Sequence, residues 1–126
     1  MRITYGKNVY GKDEINAVVK QLKKTTQMGL SVQNFEKKIS RYFGKKYGLM
    51  VNSGSSAITL ALEAINLKKG DEVIIPCLNF GTALSALIKL ELTPILVDID
   101  IETLQIDINK IENVISKKTK ALMIPN

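Results

Sequence analysis

Strand and helix signals alternate along most of this chain, which predicts an α/β fold around a mainly parallel sheet. Two observations carry the prediction. Short runs of branched apolar residues, at 72–75 and 94–99, end in turn signals. Between such runs apolar residues recur at helical spacing, and a crossover helix is what returns the next strand parallel to the last while covering one face of the sheet. The chain has 126 residues, 45% hydrophobic and 24% charged, an ordinary globular composition with length for about one core.

Ile15, Val18, Val19 and Leu22 fall at i, i+3, i+4 and i+7, with Lys12, Lys20 and Lys23 on other faces, so a helix is expected over about 12–25. Val32, Phe35, Ile39 and Tyr42 or Phe43 repeat the spacing over about 32–43; Ser31 can cap this helix and Gly44 can end it. Residues 47–51 read as a strand, broken by a polar loop at 52–56, after which Ala57, Leu60, Ala61 and Ala64 resume helical spacing. Lys68-Lys69-Gly70-Asp71 reads as a turn, 72–75 as a buried strand stopped by Pro76, and 82–89 as a helix. A strand over 94–99, a helix capped by Asp107 and carrying Ile111, Val114 and Ile115, and a strand over 121–124 continue the alternation. Two units are expected: a helical segment, 1–45, and the beginning of an α/β domain, 46–126. An apolar strand closing the chain without a covering helix predicts exposed apolar surface and a fold that continues beyond Asn126.

Composition excludes several chemistries. Histidine is absent, which removes from this chain an imidazole base, a Ser-His-Asp triad and a His-built metal site. The single Cys77 allows neither an intrachain disulfide nor a Cys-rich zinc site; no metal is expected, and a cytoplasmic home is. The opening residues hold no apolar leader, and the most apolar stretch, 83–101, is interrupted by Lys89 and Glu91, so no membrane association is expected. The net charge is +6, yet of the 18 basic residues only Arg2 and Arg41 offer planar bidentate contacts. Lysine pairs at 23–24, 37–38, 45–46, 68–69 and 117–118 read as solvated surface, and no nucleic-acid partner is expected.

The loop 52–56 offers Gly54, the hydroxyls of Ser53, Ser55 and Ser56, and the free amides of a helix start. Those parts suit an anion such as phosphate, since the helix dipole is positive there and Gly54 lets backbone approach with no Cβ in the way. A plain cap is the alternative that local sequence leaves open. The loop is not a P-loop, lacking Gly-Lys-Ser, nor a dinucleotide fingerprint, having one glycine in place of three. Asp98 and Asp100 share a strand face by the period of two, the placement of a paired-carboxylate site. Asp before a turn is more often a cap, and neither is assigned a catalytic role. Cys77 reads as a small buried hydrophobe with no role.

Val51-Asn52-Ser53-Gly54-Ser55-Ser56-Ala57, followed by Leu60-Ala61-Leu62 and Gly70-Asp71-Glu72-Val73-Ile74-Ile75-Pro76, resembles the pattern of the DegT/DnrJ/StrS sugar aminotransferases. Residues 29–36 are similar to the family's Gly-x-x-Val-x-x-Phe-Glu, and Val97-Asp98-Ile99-Asp100 with Thr103-Leu104-Gln105-Ile106-Asp107 adds to the match, which covers almost the whole chain. The resemblance implies the N-terminal portion of a PLP-dependent transferase of fold type I, aspartate aminotransferase-like, with a three-layer α/β/α domain. Its implied cofactor is pyridoxal 5'-phosphate: Gly54 and Ser55 would contact the phosphate, and Phe80 would stack on the pyridine ring. Taken alone, Phe80 reads as a core aromatic after a buried strand. Asn79 stands where Thr is commonest, and residues 57–59 lack the more usual Leu-His.

In the resembled family the Schiff-base lysine and the carboxylate facing the pyridine nitrogen come later than Asn126, so no catalytic residue is expected in this chain. The implied reaction is amino transfer from a donor such as glutamate to a nucleotide-linked keto-sugar, in cell-surface polysaccharide or deoxyaminosugar biosynthesis, by a homodimer. Two alternatives stand beside it. One is the sugar 3-dehydrase branch, where histidine replaces that lysine. The other is a non-catalytic fragment or structural α/β domain needing a partner chain.

Overall fold

Glu72–Pro76 is apolar in every residue but the first, the composition of a strand covered on both faces, and it forms the central strand, β1. A computed structural model describes residues 6–27 and 29–125; Arg2 and Asn126 lie outside them. β2 (Thr93–Val97) and β3 (Thr119–Leu122) pair with β1 on either side, both parallel, in the order β2-β1-β3. A helix, α4 (Gly81–Lys89), connects β1 to β2. A single helical turn, α5 (Ile108–Ile111), with a 3₁₀ turn over Glu112–Val114, lies on the crossover from β2 to β3. The expected α/β class with a parallel sheet is what forms.

The side chains of β1 alternate between two cores. Val73 and Ile75 pack with Leu62, Ala86, Leu87 and Leu92, which places α4 and the helix before β1, α3 (Gly54–Ala64), on one face. Ile74 packs with Val97 and Ile106, with Ile111 and Val114 against them, which places α5 on the other. Val73 and Leu87 are 0% exposed, so each contributes the full burial of an aliphatic side chain, about 1.5–3 kcal/mol. The three layers expected of the class are present. By strand alternation Pro76 would present its N–H toward β3; having none, it ends that pairing, and the last bond there is from the Met123 amide to the Ile74 carbonyl at 2.9 Å.

At the other end of β1 the Glu72 carboxylate accepts from the hydroxyls of Ser116 and Thr119, at 2.6 and 3.0 Å, where the β1–β3 register shifts. Outer faces of the flanking strands stay open: Leu96, Leu122 and Ile124 are exposed, as an incompletely covered sheet predicts.

Several expectations are corrected. Residues 47–51 form no strand, because a strand exists only through a neighbour's hydrogen bonds and no described strand lies beside them. The chain forms two compact units, Met1–Met50 and Val51–Asn126, so 46–50 go with the first unit and not with the sheet. The reason is local: the Met50 amide donates to Glu36 Oε1 at 2.8 Å, and Gly48 lies against the Glu36 carbonyl. The helix expected through Ile115 stops earlier, since Ile115 is already extended; Val114 and Ile115 are both branched at Cβ and lose rotamer freedom in a helix.

In the first unit α1 (Lys12–Lys24) and α2 (Leu30–Tyr42) occupy nearly the expected ranges. Gly11 begins α1, its amide held by the Glu14 carboxylate at 2.7 Å, and that bond draws the Glu14 pKa below its ordinary value. Ser31 is not the cap of α2: Gly29 occupies that position, and the Ser31 hydroxyl, inside the first turn, donates to Gln21 Oε1 at 3.3 Å. Gly44 does end the helix, at φ +64°, a conformation that favours glycine.

Candidate functional site

Ser53 is extended and sits at the N-cap of α3, where its Oγ accepts the Ser56 amide at 3.1 Å and its hydroxyl donates to Ser56 Oγ at 3.1 Å. Its carbonyl accepts the first helical bond, from the Ala57 amide at 3.1 Å. The amides between, of Gly54 and Ser55, have no hydrogen-bond partner among the described residues. A Cβ built on Gly54 meets nothing within 4 Å, and Gly54 has no positive φ. Neither packing nor backbone strain therefore demands glycine at this position. What remains is a pair of donors at the positive end of a helix dipole, open to a close-approaching anion.

Phe80 occupies the corresponding N-cap of α4 and is 72% exposed, so in this chain it is not a core aromatic. Its carbonyl accepts the Ala83 amide at 3.0 Å, and its own amide is held by Asn79 Oδ1 at 2.7 Å. Upstream, the Cys77 amide continues the β1–β2 ladder to the Val97 carbonyl at 2.8 Å.

A groove of about 780 Å³ opens between α3 and α4, running from Ser55 and Thr82 in their first turns to Glu63 and Lys89 in their last. Ser55 is on its wall, whereas Gly54 and Phe80 are not. Two of its hydroxyls are engaged within their own helices: Thr59 donates to the Ser55 carbonyl and Ser85 to the Thr82 carbonyl, both at 3.1 Å. The unengaged amides of Gly54 and Ser55 lie at the start of α3, where Val51, Asn52, Ser55 and Ser56 line one end of the groove.

The two aspartates after β2 do not form a paired-carboxylate site. Asp98 accepts the Ile99 amide at 2.9 Å and meets Lys110 Nζ at 3.3 Å; Asp100 Oδ1 accepts from the amides of Glu102 and Thr103 and from the Thr103 hydroxyl. Both carboxyls are held below their ordinary pKa, Asp98 first by the Ile99 amide and then by Lys110, Asp100 first by the Thr103 amide. A general acid near neutral pH needs the opposite shift. Lys110, between Asp98 and Asp107, is pushed above its ordinary value, chiefly by Asp98. Cys77 is exposed, against the buried position expected, because it follows the last residue of β1. Among the described residues no group of three or more His, Cys, Asp or Glu is placed to hold a metal, and no helix is long and apolar enough to cross a membrane.

Of the expected site residues, Gly54 and Ser55 are adjacent in one helical turn, and Phe80 begins the helix packed beside it. Ser53 fills the plain cap that the local sequence leaves open, while Asn79, the partner of Phe80, is a candidate functional position that the sequence marks only as a polar residue just before a helix start.

Comparison with known proteins finds relatives over most of the chain. Residues 8–126 match the model of the DegT/DnrJ/EryC1/StrS aminotransferase family. A GDP-4-keto-6-deoxy-D-mannose 3-dehydratase of Yersinia pseudotuberculosis is 37% identical over 126 aligned positions, which cover 94% of this chain and 32% of that protein. A dTDP-3-amino-3,6-dideoxy-alpha-D-galactopyranose transaminase of Aneurinibacillus thermoaerophilus is 40% identical over 97, covering 77% of this chain and 27% of that one. A crystal structure of GDP-4-keto-6-deoxymannose-3-dehydratase with a trapped PLP-glutamate geminal diamine superposes with a TM-score of 0.90 at 33% identity, over 99% of this chain and 36% of that one. The chain spans about a third of the length of the curated relatives it matches.

Proposed function

We propose that this chain, which belongs to the DegT/DnrJ/EryC1/StrS aminotransferase family, holds the phosphate and one ring face of pyridoxal phosphate in an enzyme that transfers an amino group from glutamate to a nucleotide-linked keto-sugar. The observation that carries the reading is the pair of unengaged amides at Gly54 and Ser55, beside a glycine with open space where a side chain would stand. A phosphate monoester fits that donor set, because its oxygens accept from both amides and its charge faces the positive helix end. The Ser55 hydroxyl adds a donor. Ser53 keeps the turn rigid by holding the Ser56 amide, and the exposed face of Phe80 limits the tilt of a planar ring.

Pyridoxal phosphate, when bound, supplies an electron-withdrawing ring for chemistry at the carbon that bears the amino group. This chain's part is binding and orientation. Lys110, ion-paired and held protonated, is unsuited to covalent attachment of the cofactor. The names of the relatives support a nucleotide-linked sugar, and the PLP-glutamate adduct of the structural neighbour supports glutamate as donor. Family membership favours a homodimer, and the lone exposed Cys77 suits the reducing cytoplasm.

A second reading, sugar 3-dehydration, is favoured by the 37% identity to the Yersinia 3-dehydratase and uses the same Gly54, Ser55 and Phe80. Lysine or histidine at the position that joins the cofactor separates the two.

Fluorescence titration with pyridoxal phosphate tests the site. Gly54→Val places a branched side chain where the phosphate sits and should weaken binding by about tenfold to a hundredfold, the worth of hydrogen bonds to a charged group. Equal affinity in the variant and the parent sinks the reading.

A further inference from the structure

We infer that Asn79 is a positioning residue for the cofactor ring, acting through Phe80: by accepting the Phe80 amide on Oδ1 at 2.7 Å it sets the direction in which the exposed ring points. The inference rests on the cofactor reading above and names what orients the stacking face.

An aromatic ring in a core is held by its neighbours, but Phe80 is 72% exposed and packing alone holds it loosely. Its direction then follows from its backbone. The carbonyl side is fixed, since the Phe80 carbonyl accepts the Ala83 amide at 3.0 Å as α4 begins. The amide side is not fixed by the helix, because an N-cap residue has no carbonyl a turn earlier to receive its N–H. Asn79 fills that role. Between the Cys77 amide, anchored on Val97, and the first bond of α4, the Asn79–Phe80 contact is the one hydrogen bond among the described residues. Without it the linkage between Asn79 and Phe80 is free to turn about the Asn79 ψ and carry the ring with it.

The experiment uses the whole protein loaded with pyridoxal phosphate and reads two quantities: induced circular dichroism in the cofactor band, which reports ring orientation, and cofactor affinity by fluorescence titration. Far-ultraviolet dichroism and the thermal midpoint check folding. Asn79→Ala should lower the induced signal and weaken affinity by about two- to tenfold, the range an aromatic contact is worth. Asn79→Asp, which keeps the accepting oxygen, should restore the induced signal. On a Phe80→Ala background, Asn79→Ala should have no further effect, because its action passes through the ring. If Asn79→Ala does not fold, Asn79→Leu, which also lacks the accepting oxygen, is read in the same way.

An Asn79→Ala protein with parental dichroism and affinity overturns the inference, as does an effect that persists undiminished on the Phe80→Ala background. Phe80→Ala with parental dichroism is a different failure. It removes the stacking assignment itself, and the positioning role with it, while the Gly54 titration still judges the phosphate cup.

Discussion

Ser53 takes the Ser56 amide onto its Oγ at 3.1 Å, and so leaves to a ligand only the two amides between them. On the proposed reading, cap and anion cup divide the start of one helix. The side chain holds the third amide of the turn, and the first two, of Gly54 and Ser55, are left without a partner among the described residues.

Ser53→Ala should therefore cost about 1 kcal/mol of stability, the usual worth of a helix cap. Ser53→Asp should keep the cap and the stability while weakening pyridoxal phosphate, because it sets a negative charge beside the phosphate. Urea unfolding and cofactor titration of both variants separate the roles; parental cofactor affinity in Ser53→Asp counts against the cup.

Gly48→Ala should destabilise the first unit. A Cβ there stands 2.8 Å from the Glu36 carbonyl oxygen and 3.3 Å from Ser40 Cβ, and the backbone oxygen of a formed helix cannot yield cheaply. The expected cost is about 1–3 kcal/mol, as for other overpacked positions. Gly54→Ala, with nothing within 4 Å of its new Cβ, should stay within about 0.5 kcal/mol of the parent in the absence of cofactor. Denaturant midpoints of the two variants test the contrast.

The Asp98–Lys110 pair gives a pH dependence of known sign. Asp98 is depressed in the folded chain, so its contribution is present above the unfolded carboxyl value of about 3.9 and is lost as pH falls through the folded one. Lys110 is raised, so its contribution is complete below about 10.4 and is lost as pH rises through its folded value. Both groups are exposed, and the stability at stake is small. Lys110→Met should move the Asp98 pKa upward only part of the way, because the bond from the Ile99 amide remains. Carboxyl-carbon NMR titration reads this directly; a full return to the ordinary value refutes the part assigned to Ile99.

Incubation of this chain with pyridoxal phosphate, borohydride reduction and peptide mapping should give weak, scattered lysine adducts. A lysine amine in water, with a pKa of about 10.4, is mostly protonated near neutral pH and so a poor nucleophile. Lys110, held protonated by Asp98 and Asp107, should be among the least labelled. One stoichiometric adduct at a single lysine contradicts this.

Much of the architecture is legible in residue order. The spacing of Ile15, Val18, Val19 and Leu22 marks α1, the unbroken apolar run of β1 marks a strand buried on both faces, and Asp107 caps α5 through the Asn109 amide as its position predicts. The unengaged amides of Gly54 and Ser55 are legible because helix-start donors are a local property of four or five consecutive residues.

What sequence could not determine depends on groups distant along the chain. Residues 47–51 have strand composition and form no strand, since pairing needs a neighbour that composition does not supply. Ser31 has the chemistry of a cap, yet the helix begins at Gly29 and the Ser31 hydroxyl bonds Gln21, ten positions earlier. Phe80 was readable as core or as stacking face, and only its placement at an open helix start decides for exposure. The sequence by itself determined periodicities, caps and the helix-start donors, which act over a single turn. Tertiary structure decided which strands pair, where α2 is capped and which residues the sheet buries, because each of those depends on burial and hydrogen bonds made by residues well separated in the chain.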